Sequence, residues 1–92
     1  MYYRHYTKKF QKSLIKVIHS GKIKRQEIDR MITLLASGNT LDPIYRDHQL
    51  KGEWAKYREC HVKGDLLLVY RIEKERLVLV LAEIGTHSYL DL

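Results

Sequence analysis

Apolar residues recur along this chain with two different periods, and the period changes near its middle. A short aromatic stretch at residues 2–6 reads as an edge strand. Phe10, Leu14, Val17 and Ile18 then fall at helical spacing, which predicts a helix to about Ser20 with Thr7 as its cap and Gly21 as its stop. Lys8, Lys12 and Lys16 line up on its outer face. Ile28, Met31, Ile32 and Leu35 mark a second helix over about 25–37, with Glu27 and Asp29 near the positive end of its dipole and Gly38-Asn39 ending it. Residues 40–52, centred on Asp42-Pro43, carry no periodicity and read as a loop. Three strands are then expected at 53–61, 66–72 and 77–84. Lys63-Gly64 and Glu73-Lys74-Glu75 are hairpin-like breaks between them, so the order implies an antiparallel meander. The run from Leu77 to Ala82 is apolar on both sides, which places it deep in the sheet. The fold class is α+β: two N-terminal helices packed on one side of a small antiparallel sheet, with the chemistry along its open face and C-terminal rim.

At 92 residues the chain is expected to be one domain, 1–92, in which most apolar positions must serve the core. The longest apolar runs are far too short to span a bilayer, and the start, Met1-Tyr2-Tyr3-Arg4-His5, lacks the apolar stretch of a signal peptide. The single Cys60 cannot form an internal disulfide; its surroundings mark it as a small strand residue rather than a nucleophile. A cytoplasmic protein with no membrane partner is the expectation. Charge refines the picture. Residues 1–30 hold nine Lys or Arg against Glu27 and Asp29, whereas the remainder carries a net −1. A basic face concentrated on so small a domain suits RNA, DNA or an acidic protein, because each neutralised phosphate releases condensed counterions. A solvated lysine-rich helix surface is the plainer alternative.

Candidate chemistry lies in the second half: His48 in the loop, His61 near the end of the first meander strand, Asp65 just past the turn, and His87 near the C-terminus. Histidine exchanges protons near neutrality, so three of them beside a carboxylate can run acid and base catalysis. Because neighbouring strands lie about 4.8 Å apart, His61 and Asp65, flanking one tight turn, should end near each other. The same residue types can ligate zinc or iron, but no His-x-x-x-His or Cys-x-x-Cys pair occurs, and no metal or other cofactor is expected. His5 and His19 are read as structural or surface residues.

The segments Tyr45-Arg46-Asp47-His48-Gln49-Leu50-Lys51-Gly52-Glu53-Trp54, Tyr57-Arg58-Glu59-Cys60-His61-Val62, Asp65-Leu66-Leu67-Leu68-Val69-Tyr70 and Gly85-Thr86-His87-Ser88 closely resemble the YafQ-type toxins of the RelE/ParE superfamily. The likeness is strongest from about Leu41 to Leu90, and the preceding elements agree with the superfamily's βααβββ order. The resemblance implies a bacterial mRNA interferase that enters the ribosomal A site, cuts mRNA there, and is neutralised by a cognate antitoxin, an acidic protein of the ribbon-helix-helix type. It implies His48, His61, Asp65 and His87 as the catalytic set. On this reading His87 is the general acid, His48 or Asp65 the base, and His61 positions or stabilises the phosphate. Arg46 and Arg58 add positive charge, and Lys8, Lys12 and Lys16 contact ribosomal RNA. ParE-type relatives share the fold but inhibit DNA gyrase without cleaving RNA, which is the alternative function. The sequence departs from the group at two places. Glu83 stands where an arginine is common, and Asp91 where an aromatic residue is common, leaving Tyr89 as the nearest ring.

Overall fold

The computed structural model describes residues 1–86 and Leu90. Strand β1 (Tyr3–Tyr6) leads into helices α1 (Lys8–His19) and α2 (Arg25–Ala36), and then come the short strand β2 (His48–Gln49) and the meander β3 (Arg58–Lys63), β4 (Leu66–Glu73) and β5 (Val78–Thr86). Thr7 caps α1 as its sequence predicts, its hydroxyl accepting from the Phe10 backbone N–H at 3.0 Å. At the start of α2 the Lys24 backbone N–H donates to the Glu27 carboxylate at 3.1 Å. That bond, followed by the charge of Lys63, holds the Glu27 pKa below the ordinary carboxylate value.

The strands form one sheet in the order β1-β5-β4-β3-β2. Strands β2 to β5 are antiparallel, as the meander requires, but β1 lies parallel to β5, with Tyr3 opposite Val78 and Tyr6 opposite Leu81. The sheet is therefore mixed rather than wholly antiparallel. The reason is the helical pair, which supplies the long crossover that parallel neighbours need. Strand β5 sits between β1 and β4 and is buried from Leu79 to Gly85, which accounts for its apolar residues on both sides.

Both helices cover one face. Phe10, Ile28, Ile32 and Leu35 pack with Cys60, Leu68, Tyr70, Leu79, Leu81 and Ile84 in the main core. The opposite face carries a smaller cluster of Leu67, Val69, Ala82 and Leu90, flanked by Leu50 and Tyr57. Two segments differ from expectation. The loop at 40–52 contains strand β2, and the predicted strand at 53–61 begins only at Arg58, because Gly52–Trp54 closes a 3₁₀ turn with Gly52 at φ 64°. No helix among the described residues is long and apolar enough to cross a membrane.

Candidate active site on the open sheet face

Cross-strand partners share a face, so the register builds one row across the sheet on the side away from the helices. His48 lies opposite Glu59, Glu59 opposite Val69, and Val69 opposite Glu83. His48 is half exposed, whereas the Glu59 side chain is only 3% exposed. The His48 Nδ1 lies 2.7 Å from the Arg46 carbonyl oxygen. A carbonyl can only accept, so Nδ1 carries the hydrogen and Nε2 is the nitrogen left for chemistry. That Nε2 stands 3.4 Å from Glu59 Oε1. His48 and Glu59 thus form one unit at the foot of an open surface, with the carboxylate placed to stabilise a proton taken up at Nε2.

The loop that carries His48 is anchored from beneath. Pro43–Tyr45 forms a 3₁₀ turn capped by Asp42, whose Oδ1 accepts from the Ile44 N–H at 3.0 Å. Arg46 then takes the left-handed conformation, φ 49°, which turns its carbonyl toward the His48 ring. Asp47 points to the other side of the sheet. Its carboxylate accepts the Tyr70 hydroxyl proton and two hydrogen bonds from Arg58, from Nε at 3.4 Å and from Nη2 at 3.2 Å. Burial works against the Arg58 charge, but the hydrogen bonds to Asp47 and Tyr70 outweigh it and raise the guanidinium pKa. Burial, and then the Asp47 carboxylate, push the Tyr70 hydroxyl up. Arg58, a candidate for extra charge, sits opposite Tyr70 in the register and ties the loop through Asp47, with its side chain still 39% exposed.

The other expected site residues are distributed rather than gathered. His61 is half-buried on β3 opposite Leu67, one row from Glu59 along the same face. The next partners are Lys63 and Leu66, so Val62 is an extra residue, a bulge of the kind that re-aims a neighbouring side chain. Asp65 is exposed at the hairpin tip and borders a groove of about 400 Å³ toward α1, where Lys16, Lys22 and Lys63 also lie. His87 lies outside the described residues, as do Tyr89 and Asp91. Lys8, Lys12 and Lys16 are exposed along α1, as expected. Cys60 is buried, and its thiol is pushed up to about 12 by burial and by the charges of Asp47 and Glu59, which agrees with an inert strand residue. Among the described residues no group of three His, Cys, Asp or Glu side chains is placed to hold a metal ion.

Glu59 and Asp47 are the functional candidates that reading the sequence alone passed over. Strand alternation could have flagged Glu59, since it shares the parity of His61 on the same strand. Nothing local flags Asp47, because its partners stand 11 and 23 residues away. Glu83, at the position where an arginine is common, is buried and paired with Lys9 at 2.5 Å.

The whole arrangement has close counterparts. A family model described as the bacterial toxin YafQ of type II toxin–antitoxin systems matches residues 2–91. The mRNA interferase toxin YafQ of Escherichia coli K12 is 36% identical over 61 residues, which cover 65% of this chain and 64% of that protein. The matched stretches span 45% and 64% of the lengths of two such curated relatives. A crystal structure of a metal-bound toxin from Helicobacter pylori superposes with a TM-score of 0.87 at 40% identity, covering 98% of this chain and 99% of that one. The E. coli DinJ–YafQ complex does so with a TM-score of 0.83 at 27% identity, covering 98% of each chain.

Proposed function

The chain belongs to the YafQ family of type II toxins, and we propose that it is a ribosome-dependent endoribonuclease that cuts mRNA in the A site by metal-independent acid and base catalysis. The observation that carries this reading is the His48–Glu59 unit, an imidazole with one nitrogen fixed by a carbonyl and the other facing a buried carboxylate on an open surface. In this mechanism the His48 Nε2 takes the proton from a ribose 2′-OH while the Glu59 carboxylate stabilises the imidazolium that forms. The 2′-oxygen attacks the adjacent phosphorus, the bond to the 5′-oxygen breaks, and His87 supplies the proton to that leaving oxygen. His61 and Asp65 position the phosphate from the far end of the same hairpin, with Arg46 adding charge beside His48. The lysines of α1 bind ribosomal RNA.

A YafQ toxin from E. coli has been crystallised with DinJ, and we assign this chain a cognate antitoxin of its own, acidic and of the ribbon-helix-helix type, encoded beside it. A segment that folds over the basic surface would offer carboxylates to its lysines and arginines.

Induced expression with mapping of mRNA 5′ ends tests the function. Clustered in-frame cuts on translated messages, lost in a folded His87→Ala variant, are the expected result. Intact messages with arrested supercoiling would instead place the protein with the gyrase inhibitors. Cutting that stops in EDTA and returns only with an added transition metal would refute metal independence.

A further inference from the structure

On the same open face, two residues along β4 from Val69, the side chain of Arg71 is built into a rigid plane. Its guanidinium lies against the hydroxyl end of the Tyr57 ring, 5.4 Å from the centroid. Three hydrogen bonds fix it there: Nη1 donates to the Tyr57 hydroxyl at 2.7 Å, while Nε and Nη2 donate to one oxygen of Glu73 at 3.0 and 2.7 Å. Trp54 supports Tyr57 from its edge, with ring centroids 5.4 Å apart. Of the five guanidinium hydrogens, three are committed and two remain for a ligand. Arg71 is one third exposed and borders an open depression of about 630 Å³ with Gln49, Lys56 and Glu73. Gln49 directly follows His48, so this depression adjoins the proposed reaction centre.

We propose that Arg71, held in place by the Tyr57 hydroxyl and Glu73, is a stacking platform for one nucleotide of single-stranded RNA near the scissile phosphate. Guanidinium planes stack on bases, and here the bond to the Tyr57 hydroxyl and the ion pair with Glu73 remove side-chain freedom that stacking would otherwise cost. The location fits. By strand spacing Arg71 lies about 8 Å from Glu59 and about 12 Å from His48, so a phosphate over that pair puts a base one or two nucleotides away over Arg71. Lys56 is exposed at the rim of the depression, where a flanking phosphate would lie. The platform also supplies what this chain lacks elsewhere: with Glu83 and Asp91 in place of the arginine and the aromatic residue common in its relatives, Arg71 and Tyr57 bring both groups to the same face.

This inference rests on the ribonuclease reading, and the test separates the two. Ribosomes are programmed with a short message, left with a vacant A site, and incubated with toxin. The message carries either its normal bases or one abasic nucleotide at each position within two of the cut. Wild-type protein should cut the intact message and lose about 5- to 150-fold in rate when one particular flanking base is removed. Arg71→Lys, which keeps the charge but not the plane, should cut the intact message slower by a similar factor and be indifferent to that base. Tyr57→Phe, which keeps the ring and frees one anchor of Arg71, should fall between and serves as the probe if Arg71→Lys does not fold. A base-removal penalty equal in wild type and variants, or no penalty at any position, overturns the platform while leaving the nuclease intact. No cutting by wild type overturns the nuclease reading and the platform with it.

Discussion

Asp47 is the hinge of the site, and Asp47→Ala should both destabilise the protein and disorder its chemistry. Its carboxylate is the acceptor for the Tyr70 hydroxyl, and Tyr70 is 1% exposed. Removing that acceptor strands a buried donor, which costs about 1–3 kcal/mol. The Arg58 side chain is 39% exposed, so water screens the lost ion pair and its share is at most about 1 kcal/mol. The sum, about 1–4 kcal/mol, is set against the roughly 5–14 kcal/mol expected for a domain of this size. With a urea slope of about 1–1.5 kcal/mol/M, the unfolding midpoint should fall by about 0.7–4 M. A double-mutant cycle isolates the buried term. In a Tyr70→Phe background there is no hydroxyl to strand, and Asp47→Ala should cost about 1–2 kcal/mol less. Activity, measured where both proteins are fully folded, should also drop, because the backbone that sets the Arg46 carbonyl against His48 loses its tie to β3 and β4. An Asp47→Ala cost that is the same with and without the Tyr70 hydroxyl would refute the reasoning, as would a midpoint shift below about 0.5 M.

Glu59→Gln keeps the shape of the carboxylate but cannot stabilise an imidazolium at His48. Its kcat for mRNA cutting should fall by at least about tenfold with ribosome affinity unchanged, and an unaltered kcat would remove Glu59 from the mechanism. Replacing Lys8, Lys12 and Lys16 together with Gln should weaken ribosome binding and flatten its salt dependence; an unchanged slope would assign the stripe to solvation or to the antitoxin. Glu73 is held below the ordinary carboxylate value first by its hydrogen bond from Arg71 and then by the charges of Arg71 and Arg76. Its folded pKa is thus the lower one, so its stabilisation is present above the unfolded value, near pH 4.5, and is lost as pH falls through the folded value. Glu73→Gln should therefore flatten the acid limb of the stability curve, and an acid limb identical to wild type would show that the Arg71 plane is not held as described. For Cys60 the sign reverses in consequence. Its thiol, pushed up to about 12, ionises more readily in the unfolded chain, so stability should decline as pH rises past about 8.5 in wild type and less in Cys60→Ala, as unfolding curves would read.

How much of this was legible in the sequence depends on the range of the interaction that decides each feature. Helix α1 could be read because its cap, stripe and stop all lie within a dozen residues, and Thr7 bonds Phe10 as the local pattern requires. The meander could be read because turn residues and apolar runs are local too. The parallel pairing of β1 with β5 joins residues about 75 apart, and nothing in the aromatic stretch at 3–6 announces its partner. The site follows the same rule. His48 and His61 stood out by residue type, while Glu59 gained meaning only from β2, a strand of two residues that no periodicity can signal. Arg58 and Arg71 are the sharpest pair. Both are strand arginines on neighbouring β3 and β4, and the family resemblance made Arg58 a candidate for charge beside the phosphate. Pleat parity separates them: Arg58 shares the helix-covered face with Tyr70 and ties Asp47, whereas Arg71 shares the face of Val69 and Leu67, where the RNA must pass if His48 cuts it.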